Sequence, residues 1–134
     1  MQEQPEPAFA PGLTARVELT VTDADTAWAV GSGDVPVLGT PRVVALAEAA
    51  TVAATAPAMP PGSTTVGTRV ELEHLTPTVV GRTVQAQALL AAVDGRRLSF
   101  EITVSDGDET VARGRVDRIV VNRQRFVDRA GRAS

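Results

Sequence analysis

Apolar and polar residues alternate along five segments of the chain, a spacing typical of β-strands that bury one face. The first segment, TARVELTVT at 14–22, places every apolar side chain on the same face. The other four segments lie at 64–75, 82–93, 97–105 and 109–121. Because Asp94-Gly95 is a hairpin signal and Asp106-Gly107 marks a second turn, we predict one strand followed later by a four-stranded antiparallel meander.

A long apolar run between the first two strands has the start signal of a helix. Thr40 can cap the free amides of a helix, and Pro41 fits the first helical position. We predict a helix of about 14 to 16 residues that ends before Pro57. Both faces of the run are apolar, so we expect the helix to be buried all round. One buried helix with five strands indicates an α+β hot-dog fold, in which an antiparallel sheet wraps around the helix.

The length of 134 residues suits a single domain. We assign 1–12 to a flexible N-terminal arm, 13–126 to the domain and 127–134 to a basic tail. The chain contains no cysteine, which excludes a disulfide framework and a Cys-based zinc site and is consistent with the cytoplasmic location that we predict. The uncharged run at 49–68 is interrupted by three prolines, so we do not expect a membrane span.

Charge is distributed unevenly along the chain. All thirteen basic residues are arginines, and seven of them fall within 113–134 beside only two acids. A local basic end on an acidic domain favours a phosphate-bearing ligand over bulk nucleic-acid binding, which usually needs a broadly basic surface. A solvated or dimer-facing arginine-rich strand and tail explains the same pattern equally well.

Glu48 is the one charged residue between Val43 and Thr68. A lone buried carboxylate costs several kcal/mol unless it is paired or protonated, so such an acid is a candidate site residue. A glutamate that reaches solvent at the helix edge or pairs with an arginine is an equally good interpretation of this residue taken alone.

His74 is the one histidine of the chain. Its strand phase, shared with Val66, Thr68, Val70 and Leu72, points it towards the core near the end of the strand. Taken alone, His74 is more often a satisfied core or interface histidine, and Thr40 is more often only a helix cap.

Arg118 falls in phase with apolar residues of the last strand and therefore needs an anionic partner. We expect that partner to be a carboxylate across an interface, with direct substrate contact as the alternative.

Three of these positions together resemble a known family. Thr40-Pro41, Glu48 in VVALAEAA and His74 in VGTRVELEHLTPT are similar to the fluoroacetyl-CoA thioesterase-like family of hot-dog proteins, over roughly residues 15–122. The resemblance implies a Thr, Glu and His catalytic set, and an arginine that matches Arg118. Phenylalanines just before the threonine gate the site of the fluoroacetyl-specific member. Residues 29–39 contain no phenylalanine, so the resemblance implies thioesterase chemistry without implying fluoroacetyl selectivity.

The resemblance implies hydrolysis of a small-acyl thioester of coenzyme A, with no separate cofactor and no metal. His74 would be the general base for Thr40 or a water, and Glu48 would orient the imidazole or attack the carbonyl. Free amides at the helix start would stabilise the oxyanion. We expect Arg118 and Gly67 to bind substrate and the C-terminal arginines to attract its phosphates. The main alternative is a non-catalytic module that binds acyl-CoA or another small ligand; a hydratase has no positive support.

A helix rises 1.5 Å per residue, so a capping Thr40 lies about 12 Å from Glu48 along the axis. One chain then cannot bring these two side chains together. Hot-dog proteins resembling this one pair two helices in a homodimer. We therefore predict a shared site in which Thr40 of one protomer faces Glu48 and His74 of the other.

Overall fold

The computed structural model describes residues 9–132. Five strands and two helices make up the fold. The strands are β1 (Thr14–Thr20), β2 (Ser63–His74), β3 (Thr83–Asp94), β4 (Arg97–Asp106) and β5 (Glu109–Asn122), and the helices are α1 (Thr40–Thr55) and α2 (Arg123–Arg132). The strand segments and the 16-residue length of α1 confirm the predictions. Residues 1–8 of the expected arm lie outside the described residues.

The five strands form one antiparallel sheet in the order β1-β3-β4-β5-β2. The predicted four-stranded meander is therefore wrong, because β2 pairs with β5 at the far edge instead of with β3. The segment after β2 crosses to the loop before α1, where Val79 pairs with Val37 and the Leu38 amide donates to the Thr78 carbonyl at 2.8 Å. Because β2 lies at the far edge of the sheet, the edge of β3 is free to pair with β1. The crossing also brings the end of β2 close to the start of α1.

One face of α1 packs into the curve of the sheet. Its buried residues are Val43, Leu46, Ala47, Ala50, Thr51, Ala54 and Thr55. They meet strand residues such as Leu98, Phe100 and Val104, which are fully buried. The expectation that α1 is buried all round is wrong, because Pro41, Ala45, Ala49 and Val52 remain exposed. The helix thus presents an uncharged outer stripe, interrupted by Glu48.

A β-bulge in β2 changes which side chains face the helix. The register with β5 shifts between Gly67 and Arg69, so Thr68 is the extra residue. Before the bulge Thr65 and Gly67 face α1, whereas after it Leu72 and His74 do. The predicted common phase of Val66, Thr68 and His74 is therefore wrong. The inserted residue reverses the alternation that a regular strand would keep.

The second helix was not foreseen, since the arginine-rich sequence of residues 123–132 has too few apolar residues to form a buried face. Its first amide, that of Arg123, donates to the Gly62 carbonyl at 2.9 Å, and Asn122 Oδ1 accepts from the Arg125 amide at 3.0 Å. These bonds fix the helix to the end of β5. Within residues 9–132 no helix is long and apolar enough to cross a bilayer.

Candidate active site

The start of α1 and the end of β2 bring a threonine and a histidine together. Thr40 Oγ1 and His74 Nδ1 lie 2.8 Å apart, at a position that opens to solvent. The prediction that Thr40 caps the helix is wrong, because Gly39 is the N-cap residue and Thr40 is the first helical residue. The Thr40 hydroxyl therefore forms no capping hydrogen bond with the helix and is available to bond with the His74 imidazole.

A buried carboxylate holds the loop that positions Thr40. Asp25 accepts hydrogen bonds from the amide and hydroxyl of Thr22 at 2.8 and 2.9 Å, and it pairs with Arg42 Nε at 3.0 Å. Burial would raise the pKa of Asp25, but these donors outweigh it and hold the pKa below its usual value. The Asp25 carbonyl in turn accepts from the Gly39 amide at 2.9 Å. Sequence analysis missed this network, although Thr22 and Asp25 have the spacing of a capping box.

The imidazole of His74 is half-buried, and burial lowers its pKa below the ordinary 6.5. The nearby Thr76 backbone carbonyl opposes this shift, because a carbonyl oxygen favours the protonated imidazole. Nε2 is buried, and within residues 9–132 it has no hydrogen-bond partner. The ring is thus neutral at pH 7, with Nδ1 facing Thr40. If Thr40 donates to Nδ1, then Nε2 carries the proton and needs an acceptor.

A second polar cluster lies further along α1, around Glu48. Arg118 Nη1 donates to Glu48 Oε2 at 2.8 Å. The guanidinium also donates to the hydroxyl and carbonyl of Thr65, both at 2.9 Å, and its side chain is only 8% exposed. We had expected the partner of Arg118 to be a carboxylate across an interface. Arg118 instead pairs with a carboxylate of its own chain. Thr65 was missed because the bulge that turns it inward leaves no signal in the sequence.

Gly67 leaves room for the Glu48 carboxylate. A methyl group in place of its α-hydrogen would lie 2.5 Å from Glu48 Oε2 and 3.4 Å from Arg118 Nη1. The Glu48 side chain is 35% exposed, and within the described part of the chain its Oε1 atom forms no hydrogen bond. Glu48 is thus held by one oxygen while the other remains available.

Within one chain the two clusters are separate. Gly67, which contacts Glu48, and His74 are seven residues apart on β2, which is about 20 Å along an extended strand. Thr40 and Glu48 are eight residues apart on α1, about 12 Å along the helix axis. The predicted pairing of Glu48 with His74 of the same chain is therefore wrong. Thr40 and His74 form one half of the candidate site, and Glu48, Arg118 and Gly67 form the other.

A cleft of about 350 Å³ opens beside Thr40 and His74. Its walls come from the loop before α1 and the residues after β2, and its apolar lining is aliphatic: Val35, Val37, Leu38 and Leu75. Val35 and Leu75 are about half exposed. Ser32, Asp34 and Thr76 also line the cleft, so the pair lies at the edge of a depression of mixed polarity that is wide enough for a small ligand.

Three comparisons with known proteins indicate the same protein family. The model of the fluoroacetyl-CoA-specific thioesterase family matches residues 21–124. A fluoroacetyl-CoA thioesterase of Streptantibioticus cattleyicolor is 37% identical over 90 residues, which is 67% of this chain and 65% of that relative's length. The fluoroacetyl-CoA thioesterase FlK, solved with acetyl-CoA as a mutant, superposes with a TM-score of 0.89 at 26% identity, covering 94% of this chain and 99% of that one.

A hot-dog-like protein from Thermanaerovibrio acidaminovorans superposes with a TM-score of 0.85, and the match covers 93% of both chains. Its 24% identity supports the fold alone. This likeness and the sheet that curves around α1 confirm the hot-dog fold. Given the match of the family model over residues 21–124, the chain belongs to the fluoroacetyl-CoA-specific thioesterase family.

Proposed function

We propose that this protein is a thioester hydrolase that cleaves a small-acyl thioester of coenzyme A. The observation that carries the proposal is the 2.8 Å contact between the Thr40 hydroxyl and the neutral His74 imidazole, in a chain that belongs to a thioesterase family. A hydroxyl within hydrogen-bond reach of a neutral imidazole has the geometry of a nucleophile and its general base. The FlK structure with acetyl-CoA adds support for a CoA thioester as ligand.

In the proposed reaction Thr40 Oγ1 attacks the carbonyl carbon of the thioester while its proton passes to His74 Nδ1. The C–S bond then breaks and coenzyme A leaves as a thiolate, which needs little help because the pKa of a thiol is about 8.5. His74 then gives its proton to the thiolate or to solvent and is neutral again. A water molecule attacks the acyl-threonine while His74 takes the proton from that water, and His74 returns this proton to Thr40 Oγ1 as the acyl C–O bond breaks and the acid is released. Direct attack by a water on the thioester is the alternative, and mass spectrometry of an acyl-enzyme distinguishes the two.

The start of α1 offers one donor for the developing oxyanion. The Gly39 amide is bonded to the Asp25 carbonyl, those of Arg42 and Val43 are bonded to the Gly39 carbonyl, and Pro41 has no N–H. Within residues 9–132 the Thr40 amide has no such acceptor. It lies at the positive end of the helix dipole, where it can stabilise negative charge on the carbonyl oxygen.

We propose further that Glu48 reaches this site from a second copy of the chain. The Glu48 side chain is 35% exposed, and its Oε1 atom accepts no hydrogen bond within residues 9–132, so this oxygen is open to a group on another chain. The contact between Thr40 Oγ1 and His74 Nδ1 is itself exposed, so a second chain can approach it. A two-fold axis near Val44, midway between residues 40 and 48 of α1, would place Thr40 opposite the partner's Glu48. The uncharged outer stripe of α1 suits such a contact, because it buries small apolar side chains at little cost in desolvation.

The test of the proposed activity is thiol release from a panel of short acyl-CoA thioesters, followed with a thiol-reactive dye. Hydrolysis that is fastest for acyl groups of two to four carbons is expected, since the cleft beside Thr40 is small and its apolar lining is aliphatic. Tight binding of acyl-CoA without release of thiol would instead favour the non-catalytic ligand-binding module. Fluoroacetyl-CoA belongs in the panel, because the segment before Thr40 lacks the phenylalanines that gate the fluoroacetyl-specific member.

The pKa of His74 sets the expected pH dependence. A general base acts in its neutral form, and burial lowers the pKa of this imidazole below 6.5. We therefore expect kcat/KM to be flat near pH 7 and to fall by about tenfold per pH unit only below pH 6.5. The same shift makes folding stability decline as the pH drops from 6.5 through the lower folded-state pKa, because the unfolded chain takes up the proton first.

The pH profile is best measured with an acyl-pantetheine thioester, because that substrate has no phosphate that titrates in the same range. A rate that does not fall at acidic pH would contradict the assignment of His74 as the general base. An apparent pKa above 6.5 would mean that a nearby carboxylate, such as Glu48 of a second copy, outweighs the burial of the imidazole.

Replacing Gly67 with alanine tests the second half of the site. The new methyl group would displace the Glu48 carboxylate and break its contact with Arg118. We expect kcat/KM to fall about tenfold or more, because the Glu48 carboxylate is displaced. The melting temperature should fall as well, since the Arg118 side chain, only 8% exposed, loses its carboxylate partner, so rates are compared at a temperature at which the variant is folded. Gly131→Ala is the matched control, because a methyl group there meets open space. Unchanged activity in Gly67→Ala would exclude a role for the position of Glu48.

A further inference from the structure

An arginine-rich cleft of about 280 Å³ lies where α2 meets the end of β5. Its apolar lining includes Ile119, Val121 and Phe126, and its arginines are Arg96, Arg125 and Arg129. We call it the α2 cleft. Ile119 and Val121 alternate with the buried Val120 along β5, so they face away from α1 and the candidate active site. The α2 cleft is therefore a separate feature of the molecule.

Two of the three arginines of the α2 cleft, Arg125 and Arg129, have no acidic partner within residues 9–132. Arg125 and Arg129 lie four residues apart, on one side of α2. The single acid of that helix, Asp128, accepts instead from Gln124 at 2.9 Å. In the part of the chain that the structure describes, neither arginine forms an ion pair. The α2 cleft thus combines an apolar floor with the uncompensated positive charge of Arg125 and Arg129.

A second cleft, on the sheet, differs from the α2 cleft because one of its arginines is paired with an acid. It is lined by Arg115 and Asp117, and these two side chains pair at 2.8 Å. The charge of Arg115 is therefore already paired, whereas the charges of Arg125 and Arg129 are not.

The chemistry of the α2 cleft fits a nucleotide with more than one phosphate. Guanidinium groups bind phosphate oxygens through paired, charge-assisted hydrogen bonds. The Phe126 ring is 43% exposed, which leaves a flat aromatic face for a purine base to stack on. An apolar ligand would leave the arginines unused, and a simple anion would leave the ring and the aliphatic floor unused.

We propose that the α2 cleft binds the adenosine 3′,5′-bisphosphate end of the coenzyme A thioester. This inference rests on the proposed thioesterase function and adds the subsite that holds the nucleotide. Val121 lies three residues beyond Arg118 on β5, about 10 Å along the strand, a distance that an extended pantetheine arm spans. The seven arginines of residues 113–134 then make the entrance attractive to the phosphates before binding.

The experiment compares two substrates and two double variants of the full chain. Arg125→Gln/Arg129→Gln removes charge from the α2 cleft, and Arg123→Gln/Arg132→Gln removes the same charge from the same helix outside its lining. We expect the first variant to raise KM for acyl-CoA about tenfold or more with kcat unchanged. KM for the matching acyl-pantetheine thioester, which has no nucleotide, should stay the same. Titration calorimetry with adenosine 3′,5′-bisphosphate should show the same loss of affinity.

The outcomes separate this proposal from the proposed function. An unchanged KM for acyl-CoA in the first variant, equal changes for both substrates, or an equal change in the control variant would overturn the α2 cleft as a nucleotide subsite while leaving hydrolysis intact. Failure of the unmodified chain to release thiol from any substrate would count against the proposed function. In that case calorimetry with adenosine 3′,5′-bisphosphate decides alone, and absence of binding overturns the subsite.

Discussion

Replacing Thr40 with valine or His74 with alanine is expected to lower kcat/KM for acyl-CoA by about a hundredfold to ten-thousandfold. Valine keeps the shape of threonine and removes only the hydroxyl that contacts His74 Nδ1 at 2.8 Å. Neither residue belongs to the buried core, so both variants should stay folded. Steady-state thiol release gives the rates, and circular dichroism with thermal melting checks the fold.

Two further variants show whether the effect comes from the chemistry. Thr40→Ser retains a hydroxyl and should keep most of the activity. Thr20→Ala removes an exposed hydroxyl that contacts Thr83 Oγ1 at 2.9 Å, and it should change kcat/KM less than threefold because Thr20 does not line the cleft beside Thr40. If Thr40→Val were as active as the unmodified protein, Thr40 would not be the nucleophile and a water would take that role.

Mixing two inactive proteins is expected to restore activity if the site is shared between subunits. Thr40→Val and Glu48→Gln each remove one member of the proposed set, and each protein alone should be nearly inactive. In a randomised one-to-one mixture half of the dimers are hybrids, and each hybrid has one site that combines an intact Thr40 with an intact Glu48. The mixture should therefore recover about one quarter of the activity of the unmodified protein.

Glutamine is the appropriate replacement at Glu48, because it keeps the length of the side chain and an oxygen for Arg118. Removing the side chain altogether would leave the Arg118 charge, only 8% exposed, without its partner, at a cost of several kcal/mol. A mixture of Thr40→Val and His74→Ala provides the control: both residues belong to the same half of the site, so its hybrids should stay inactive. Equal recovery in the two mixtures would mean that the three residues are not divided between subunits as proposed.

Local signals in the sequence were strong enough to give the five strands, the helix α1 and the candidate residues. Thr40-Pro41 and Pro57 bounded a helix of the observed length, and alternation along β4 gave the buried face with Leu98, Phe100 and Val104. Glu48 and His74 were notable because each is an isolated polar group in an apolar pattern. These predictions succeeded because capping, proline geometry and strand alternation depend on neighbours only a few residues away.

The partners of those residues were decided by the tertiary structure. Whether β2 pairs with β3 or with β5 depends on a crossing over the end of the sheet, and that crossing places His74 beside Thr40 of the same chain. One inserted residue, Thr68, turns Thr65 and Gly67 towards Arg118 and Glu48. The sequence thus determined which side chains are candidates for the chemistry and on which elements they lie. Only the folded sheet decided which of them meet. Their contacts join residues 34 or 70 positions apart, so they depend on the strand order and on the bulge in β2. Neither the strand order nor the bulge has a local signal in the sequence.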